Sequence, residues 1–215
     1  MRKLRTFLVV MVICLIGSLA LPLAGSSNTA QDIKNAEDHP ACAGEYVQFK
    51  LVDDAYTEKA MKWMAENHKN SRIPEDINGQ HQLLSRVSND IQLPDNFELL
   101  FLFVRDQNTD KLHPQNIMAV EKSSTLGSND ISEVELVIDS YKTPIILFQL
   151  SNKGSVELKR LTALENRGRR LAIIVDNKIR SAPIIREQIV GGKGSITGNF
   201  TMDEAEDLIY ILKKI

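Results

Sequence analysis

The residues with the clearest chemical potential lie between Gly191 and Ser195, in the sequence Gly-Gly-Lys-Gly-Ser. The backbone amides of a glycine-rich loop, together with a lysine, can bind a phosphate group. A phosphate-binding loop requires a glycine five residues before its Gly-Lys-Ser/Thr triplet. Here position 187 is glutamate, and Lys193 is followed by Gly194 instead of serine or threonine. The spacing therefore argues against a nucleotide ligand.

Patterns for catalysis or metal binding are also missing from the sequence. No His-Glu-x-x-His motif and no strained Gly-x-Ser-x-Gly turn is present, and the four histidines are dispersed along the chain. Asp176 follows an apolar run, a position that can carry catalysis in α/β enzymes. The pair Asp176-Asn177 is, however, more typical of a hairpin turn. We predict a non-enzymatic protein with neither a cofactor nor a metal.

The elements around these residues follow from local patterns. The β-branched run Leu171–Val175 predicts a strand that ends at the Asp-Asn turn, and Pro183 follows a second short run. The glycines at 191, 192, 194 and 198 predict tight bends or close backbone approaches. Thr201 and Glu204 have the spacing of a capping box. They precede a helical stripe of apolar residues at Met202, Ala205, Leu208, Ile209 and Leu212.

Upstream segments alternate irregularly between strand and helix patterns. Apolar runs bounded by turn residues predict strands at 46–52, 97–104, 117–120, 134–138 and 145–150. Helical spacing predicts helices at 55–68 and, weakly, around 83–87, and one capped by Ser155 that runs to about Arg167. This order indicates an α+β fold with a mixed, largely antiparallel sheet and helices packed on it.

Residues 1–26 have the organisation of an export signal. Arg2, Lys3 and Arg5 form a basic start, and an uncharged, mostly apolar run continues to Ala24. A run of this length suits either a cleaved signal peptide or an amino-terminal membrane anchor, and both alternatives stay open. Either way, the rest of the chain is expected on the extracytoplasmic side.

The remainder divides into a leader and a globular part. Residues 27–44 are polar with little apolar surface to bury, so they predict a flexible leader. Residues 45–215 then form an extracytoplasmic domain, with a division into a smaller 45–143 part and a 144–215 head core as an option. The two cysteines, Cys14 and Cys42, both precede this domain, which therefore has no internal disulfide.

The charge balance restricts the partners of the exported part. Without the three basic residues of the first 24 positions, 23 basic and 28 acidic residues remain, a net charge of −5 with histidine neutral. This balance disfavours nucleic acid as a partner. Contact with a membrane is expected only through the amino-terminal segment.

The carboxy-terminal stretch GRRLAIIVDNKIRSAPIIREQIVGGKGSITGNFTMDEAEDL resembles the first large periplasmic domain of the SecD/SecDF family. The family pattern runs as a strand ending in Asp, Ser-Ala-Pro, a Gly-Gly pair, Ile-x-Gly, Phe-Thr and a helix with Glu-Ala. Upstream, LTALENRG, the run Pro144–Leu150 and YVQFKLVDD are similar to the helix, the preceding strand and the entry strand of that domain. The resemblance covers roughly Glu45 to Leu212.

The resemblance implies a fold like the periplasmic head of SecD and a role in protein export. Its implied partners are unfolded or translocating polypeptide and components of the Sec translocon. The motif residues are the candidates for partner binding: Asp176, Ser181, Ala182, Pro183, Gly191, Gly192 and Gly198.

Two departures from the family shape the functional expectation. The Asp- and Gly-rich motif that follows the first membrane helix of SecD is absent, and this sequence ends in LKKI where SecD continues into further membrane helices. We therefore expect a free-standing, non-enzymatic accessory of export on the periplasmic face of the inner membrane. The alternative is an envelope module that binds one folded partner and has left the export pathway.

Overall fold

Eight strands form two sheets in the part of the chain that the computed structural model describes, which is residues 46–68, 72–106, 108–123, 126–198 and 200–214. The predicted signal or anchor (1–26), the leader (27–44) and Cys42 lie outside these residues.

The strands and helices follow one another in an irregular order. The strands are β1 Val47–Asp53, β2 Phe97–Arg105, β3 Leu112–Glu121, β4 Ile131–Ile138, β5 Pro144–Leu150, β6 Leu171–Val175, β7 Lys178–Ser181 and β8 Lys193–Ile196. The helices are α1 Asp54–Asn67, α2 Ile77–Asp90, α3 Asn152–Leu161 and α4 Met202–Lys214. Short 3₁₀ turns lie at Ser128–Asp130 and Leu164–Asn166.

Five strands close into a barrel in the order β1-β3-β2-β7-β6. Strand β6 completes it by pairing antiparallel with β1, from Val47 opposite Val175 to Leu51 opposite Leu171. The pairing of β2 with β7 is parallel, and the other four pairings of the barrel are antiparallel. Because side chains alternate along a strand, one set from each strand fills the interior. That interior holds Val52, Met118, Val120, Ala172, Ile174 and Ile179.

The second sheet has the order β4-β5-β8 and shares the largest core with the barrel. The outward side chains of β1 and β6 pack against β5, where the Phe49 and Phe148 rings lie 5.5 Å apart. Helix α3 adds Leu158 and Leu161 to this core, and α4 adds further buried apolar residues at 205, 208 and 212. This core therefore ties both sheets and the last two helices into one body.

Helices α1 and α2 cover the outside of β2 and β3. Asp53 and Asp76 cap them by accepting hydrogen bonds from backbone amides of the first turn. Trp63 on α1 is 9% exposed and donates its indole N–H to Asp90 at 2.8 Å. The pair joins the end of α2 to α1.

The predicted fold class is confirmed: helices pack on sheets that are mostly antiparallel. Strand β6 has the bounds that the sequence predicts. The helix expected between Ser155 and Arg167 is wrong at both ends, because Ser151 caps α3 by accepting a hydrogen bond from the Gly154 amide, and the helix ends at Leu161. Of the apolar residues in the expected helix, Leu158 and Leu161 are buried, whereas Val156 is 70% exposed.

Strand β3 begins earlier than predicted and includes Pro114. The β2–β3 register shifts so that Leu102 faces Asn116 and Phe103 faces Pro114, which leaves one extra residue in β3. A bulge of this kind accommodates a proline that lacks a backbone donor.

No helix in the described ranges is both long and apolar enough to cross a membrane. The division of the domain into 45–143 and 144–215 stays a prediction. The barrel draws strands from both parts, since β6 and β7 complete it beside β1, β2 and β3.

Candidate functional site

The Asp176-Asn177 pair forms the predicted hairpin turn between β6 and β7. Both residues have a left-handed backbone, with φ of 49° and 56°, as a two-residue type I′ turn requires. The Asp176 carboxylate accepts a hydrogen bond from Lys178 Nζ at 2.5 Å. Turn geometry and a neighbouring cation therefore account for this aspartate without a catalytic role.

The Ser-Ala-Pro segment carries the chain from the barrel towards the other core. Ala182 packs against the barrel interior, and the Pro183 carbonyl accepts a hydrogen bond from the Leu171 amide at 2.9 Å. Ser181 Oγ is buried without a hydrogen-bond partner among the described residues. Through Pro183, the segment continues the pairing with β6 beyond the end of β7.

The Gly191-Gly192 pair lies against the start of α3. Gly192 is buried, has φ of 69° and accepts a hydrogen bond from the Leu150 amide at 2.9 Å. A Cβ atom at this position would lie 1.9 Å from Ser155 Oγ. The glycine is therefore required by both the backbone conformation and the close packing, which is a structural role and not an anion site.

The seven motif residues do not converge on one surface. Asp176 lies at the β6–β7 turn, Gly191 and Gly192 lie beside α3, and Gly198 packs against Arg180 and Phe200. Of the seven, Asp176 alone borders the groove described next.

A groove with a volume of about 540 Å³ lies between α2 and β2, with the β6–β7 turn at its border. Its apolar lining includes Leu84, Leu93, Phe97, Leu99 and Phe101. Polar side chains from α2 and the following loop also line it: Gln80, His81, Ser85, Ser88, Asn89 and Asp95. The groove therefore mixes apolar side chains with at least as many polar and charged ones, which also include Glu98, Lys122 and Lys178.

The charges of the groove do not form a catalytic arrangement. Glu98 pairs with Lys50, and Asp176 pairs with Lys178, so two of the three carboxylates that line the groove already have a cation. Within the described ranges, no group of three or more His, Cys, Asp or Glu side chains could hold a metal ion. The groove offers apolar contact and hydrogen bonding, which suit binding.

Sequence reasoning did not identify this groove. The pattern around Leu83, Leu84 and Val87 predicted only a weak helix, whereas α2 spans 14 residues. Ser85 and Ser88 are small and lie three apart, so they share one helical face. That spacing is the signal in the sequence that could have indicated a cleft beside α2.

A partly buried charge cluster joins α4 to the barrel. Glu204 and Thr201 form the predicted capping box: the Thr201 amide donates to Glu204 Oε2 at 3.0 Å, and the Glu204 amide donates to Thr201 Oγ1 at 3.2 Å. The same Oε2 accepts hydrogen bonds from Arg105 and, at 3.3 Å, from Arg180. Burial alone would raise the pKa of Glu204, but the Thr201 amide and the two guanidinium groups outweigh it and hold the pKa below its ordinary value.

Arg180 is the more buried arginine of this cluster. Burial lowers the pKa of its guanidinium, against the opposing effect of Glu204. Its guanidinium carbon lies 4.3 Å from the centre of the Phe200 ring, a cation–π contact. The cluster is thus a polar connection between β2, β7 and α4.

The chain belongs to the family described as SecDF, P1 head subdomain, which it matches over residues 103–214. It is similar to protein translocase subunit SecD of Rickettsia prowazekii, with 38% identity over 103 residues, which are 48% of this chain and 20% of that protein. It is also similar to protein translocase subunit SecD of Treponema pallidum, with 34% identity over 166 residues, which are 77% of this chain and 26% of that protein.

One solved structure similar to the chain is that of SecDF, described as a membrane component that enhances protein export. The two share 19% sequence identity with a TM-score of 0.44, over 78% of this chain and 61% of that one. The chain spans about a fifth to a quarter of the length of the two SecD relatives.

Proposed function

We propose that this chain is a non-enzymatic accessory of Sec-dependent protein export that binds unfolded or translocating polypeptide. It acts on the extracytoplasmic side of the inner membrane, where the predicted amino-terminal signal or anchor directs it. Components of the Sec translocon are its second expected partner. Membership of the SecDF head family supports the link to export.

The observation that carries the binding proposal is the groove between α2 and β2. Unfolded chains differ from folded ones in exposing apolar side chains, and this groove presents apolar side chains beside hydrogen-bonding groups. At about 540 Å³ it can take a few side chains of an extended segment. Binding there needs no specific sequence, as an accessory that handles many exported chains requires.

The proposed role also accounts for the absence of a reactive arrangement in the groove. Two of its carboxylates, Glu98 and Asp176, are already paired with lysines. The motif residues from Ser181 to Gly198 lie outside the groove and shape the backbone beside the barrel and the second sheet. We propose Asp176 as the one motif residue close enough to contact bound polypeptide.

The test measures binding of a fluorescently labelled, permanently unfolded polypeptide by anisotropy. The double variant Ser85→Glu with Ser88→Glu places two carboxylates in the groove, and we expect it to weaken binding about fivefold or more, because apolar side chains then meet charge. The control, Asn78→Glu with Gln82→Glu, adds the same charge to the same helix away from the groove.

Equal weakening by both double variants would show that only the net charge of the protein affects binding. That result would contradict the groove as the binding site. Saturable binding of a single folded envelope protein, with no affinity for unfolded chains, would favour the alternative of a dedicated interaction module.

A further inference from the structure

Strand β4 lies at the end of the second sheet, and its outer edge pairs with no other strand among the described residues. It pairs with β5 from Ile131 to Ile138. An open strand edge presents unpaired amides and carbonyls to any extended chain that comes near.

The ladder register shows which β4 residues present these groups. The Asp139 amide donates to the Thr143 carbonyl at 3.0 Å, so the amide of Asp139 points towards the β5 side of the ladder. Hydrogen-bonded and non-hydrogen-bonded pairs alternate along an antiparallel ladder. The backbone amides and carbonyls of alternate β4 residues therefore point away from β5. These residues are Ile138, Leu136 and Val134. Pro144, which faces Ile138 and lacks an amide hydrogen, agrees with this assignment.

The side chains beside this edge are acidic. Glu133 and Glu135 are exposed on the face of the sheet opposite the core, and Val137 shares that face. Neither carboxylate lies within ion-pair distance of a cation in the described part of the chain. Val134 and Leu136, on the other face, pack against the core.

These carboxylates determine which chain can occupy the edge. A second copy of β4 would bring Glu133 and Glu135 close to their own counterparts, and like charges across a strand pair are destabilising. A strand with basic side chains at those two positions would instead form two cross-strand ion pairs. Charge complementarity thus favours a basic partner over self-association.

We infer that β4 binds an extended segment of another polypeptide by strand addition, and that this segment alternates basic and apolar residues. In antiparallel pairing, the bound segment has three apolar residues followed by a basic, an apolar and a basic residue. The first of these six residues lies opposite Ile138 and the last lies opposite Glu133. Main-chain hydrogen bonds to β4 supply affinity, and the two glutamates supply selectivity. This inference does not rest on the groove, because β4 belongs to the other sheet.

The test uses a labelled peptide containing Val-Ile-Val-Lys-Val-Arg between polar flanks, with a matched peptide in which both basic residues are glutamate. We expect the basic peptide to bind and the acidic one to fail. The double variant Glu133→Lys and Glu135→Lys should bind the basic peptide about tenfold more weakly and should bind the acidic peptide, which the wild type does not. The control Glu58→Lys with Glu187→Lys changes the same charge at exposed positions elsewhere.

A second variant tests the main-chain part of the inference. Ile138→Pro removes an outward amide while leaving the ladder to β5 intact, so binding should fall with little change in the melting temperature. Equal binding of both peptides, or unchanged selectivity in the charge-reversed variant, would overturn the inference. Because the glutamates are exposed, that variant decides the question even if the proline variant does not fold.

Discussion

Glu204 joins the last helix to the barrel by accepting a hydrogen bond from Arg180 at 3.3 Å. The same carboxylate oxygen accepts from Arg105 on β2 and from the Thr201 amide. One acidic group therefore caps α4 and holds it against two barrel strands.

Replacing Glu204→Gln separates these two tasks. Glutamine can keep the capping box, but it leaves Arg180, whose side chain is 6% exposed, without its carboxylate. We expect the free energy of unfolding to fall by about 1–3 kcal/mol, measured by urea denaturation. Glu206→Gln, at an exposed position on the same helix, should change it by less than about 0.5 kcal/mol. Equal effects of the two substitutions would contradict the role of the cluster.

The same carboxylate predicts an acid dependence. The pKa of Glu204 is held below its ordinary value of 4.5 in the folded state. A carboxyl of this kind stabilises the fold fully above its unfolded-state pKa and loses that contribution as the pH falls through the folded-state pKa. The wild type should therefore lose stability more steeply than Glu204→Gln below a pH of about 4.5. Unfolding free energies measured over an acid series check this, and parallel curves would refute it.

The Gly-Gly pair offers a matched test of close packing. Both glycines have a left-handed backbone. In Gly192→Ala the new Cβ atom would also meet Ser155, whereas in Gly191→Ala, where φ is 92°, no other atom lies within 4 Å of the Cβ position. We expect a loss of about 1–2 kcal/mol for Gly191→Ala from the backbone and a clearly larger loss for Gly192→Ala. Thermal unfolding measures both. Adding Ser155→Gly to Gly192→Ala should restore part of the difference.

The β6–β7 turn gives a further prediction. Asn177 has φ of 56°, a left-handed conformation that glycine adopts freely. The variant Asn177→Gly should therefore have an unchanged or slightly higher melting temperature. Asn177→Val places a β-branched residue there and should cost about 1–2 kcal/mol. A turn that tolerated valine as well as glycine would contradict the type I′ geometry.

Local signals in the sequence predicted much of the carboxy-terminal half. The run Leu171–Val175 is bounded by a turn pair, and the Thr201–Glu204 spacing places the start of α4, because both depend on neighbouring residues alone. The predicted start of α3 at Ser155 was wrong because Ser151 and Ser155 are both able to cap a helix. Tertiary packing decides between them, since Ser155 lies against Gly192.

The candidate site could not be predicted in the same way. The groove depends on how α2 lies against β2 and on the position of the β6–β7 turn, which are separated by about 80 residues of sequence. No pattern within one segment reports such a relationship. The family motif identified the fold, but most of its residues shape the backbone and only Asp176 reaches the groove.

The most direct test of the central claim is photocrosslinking in cells during export. A photoreactive amino acid replaces Ser85, which lines the groove, or Gln82, which lies on the same helix away from it. We predict crosslinks between position 85 and an exported chain arrested during translocation, with few or none from position 82. Equal crosslinking from both positions, or crosslinks from position 85 to a folded envelope protein alone, would contradict the account.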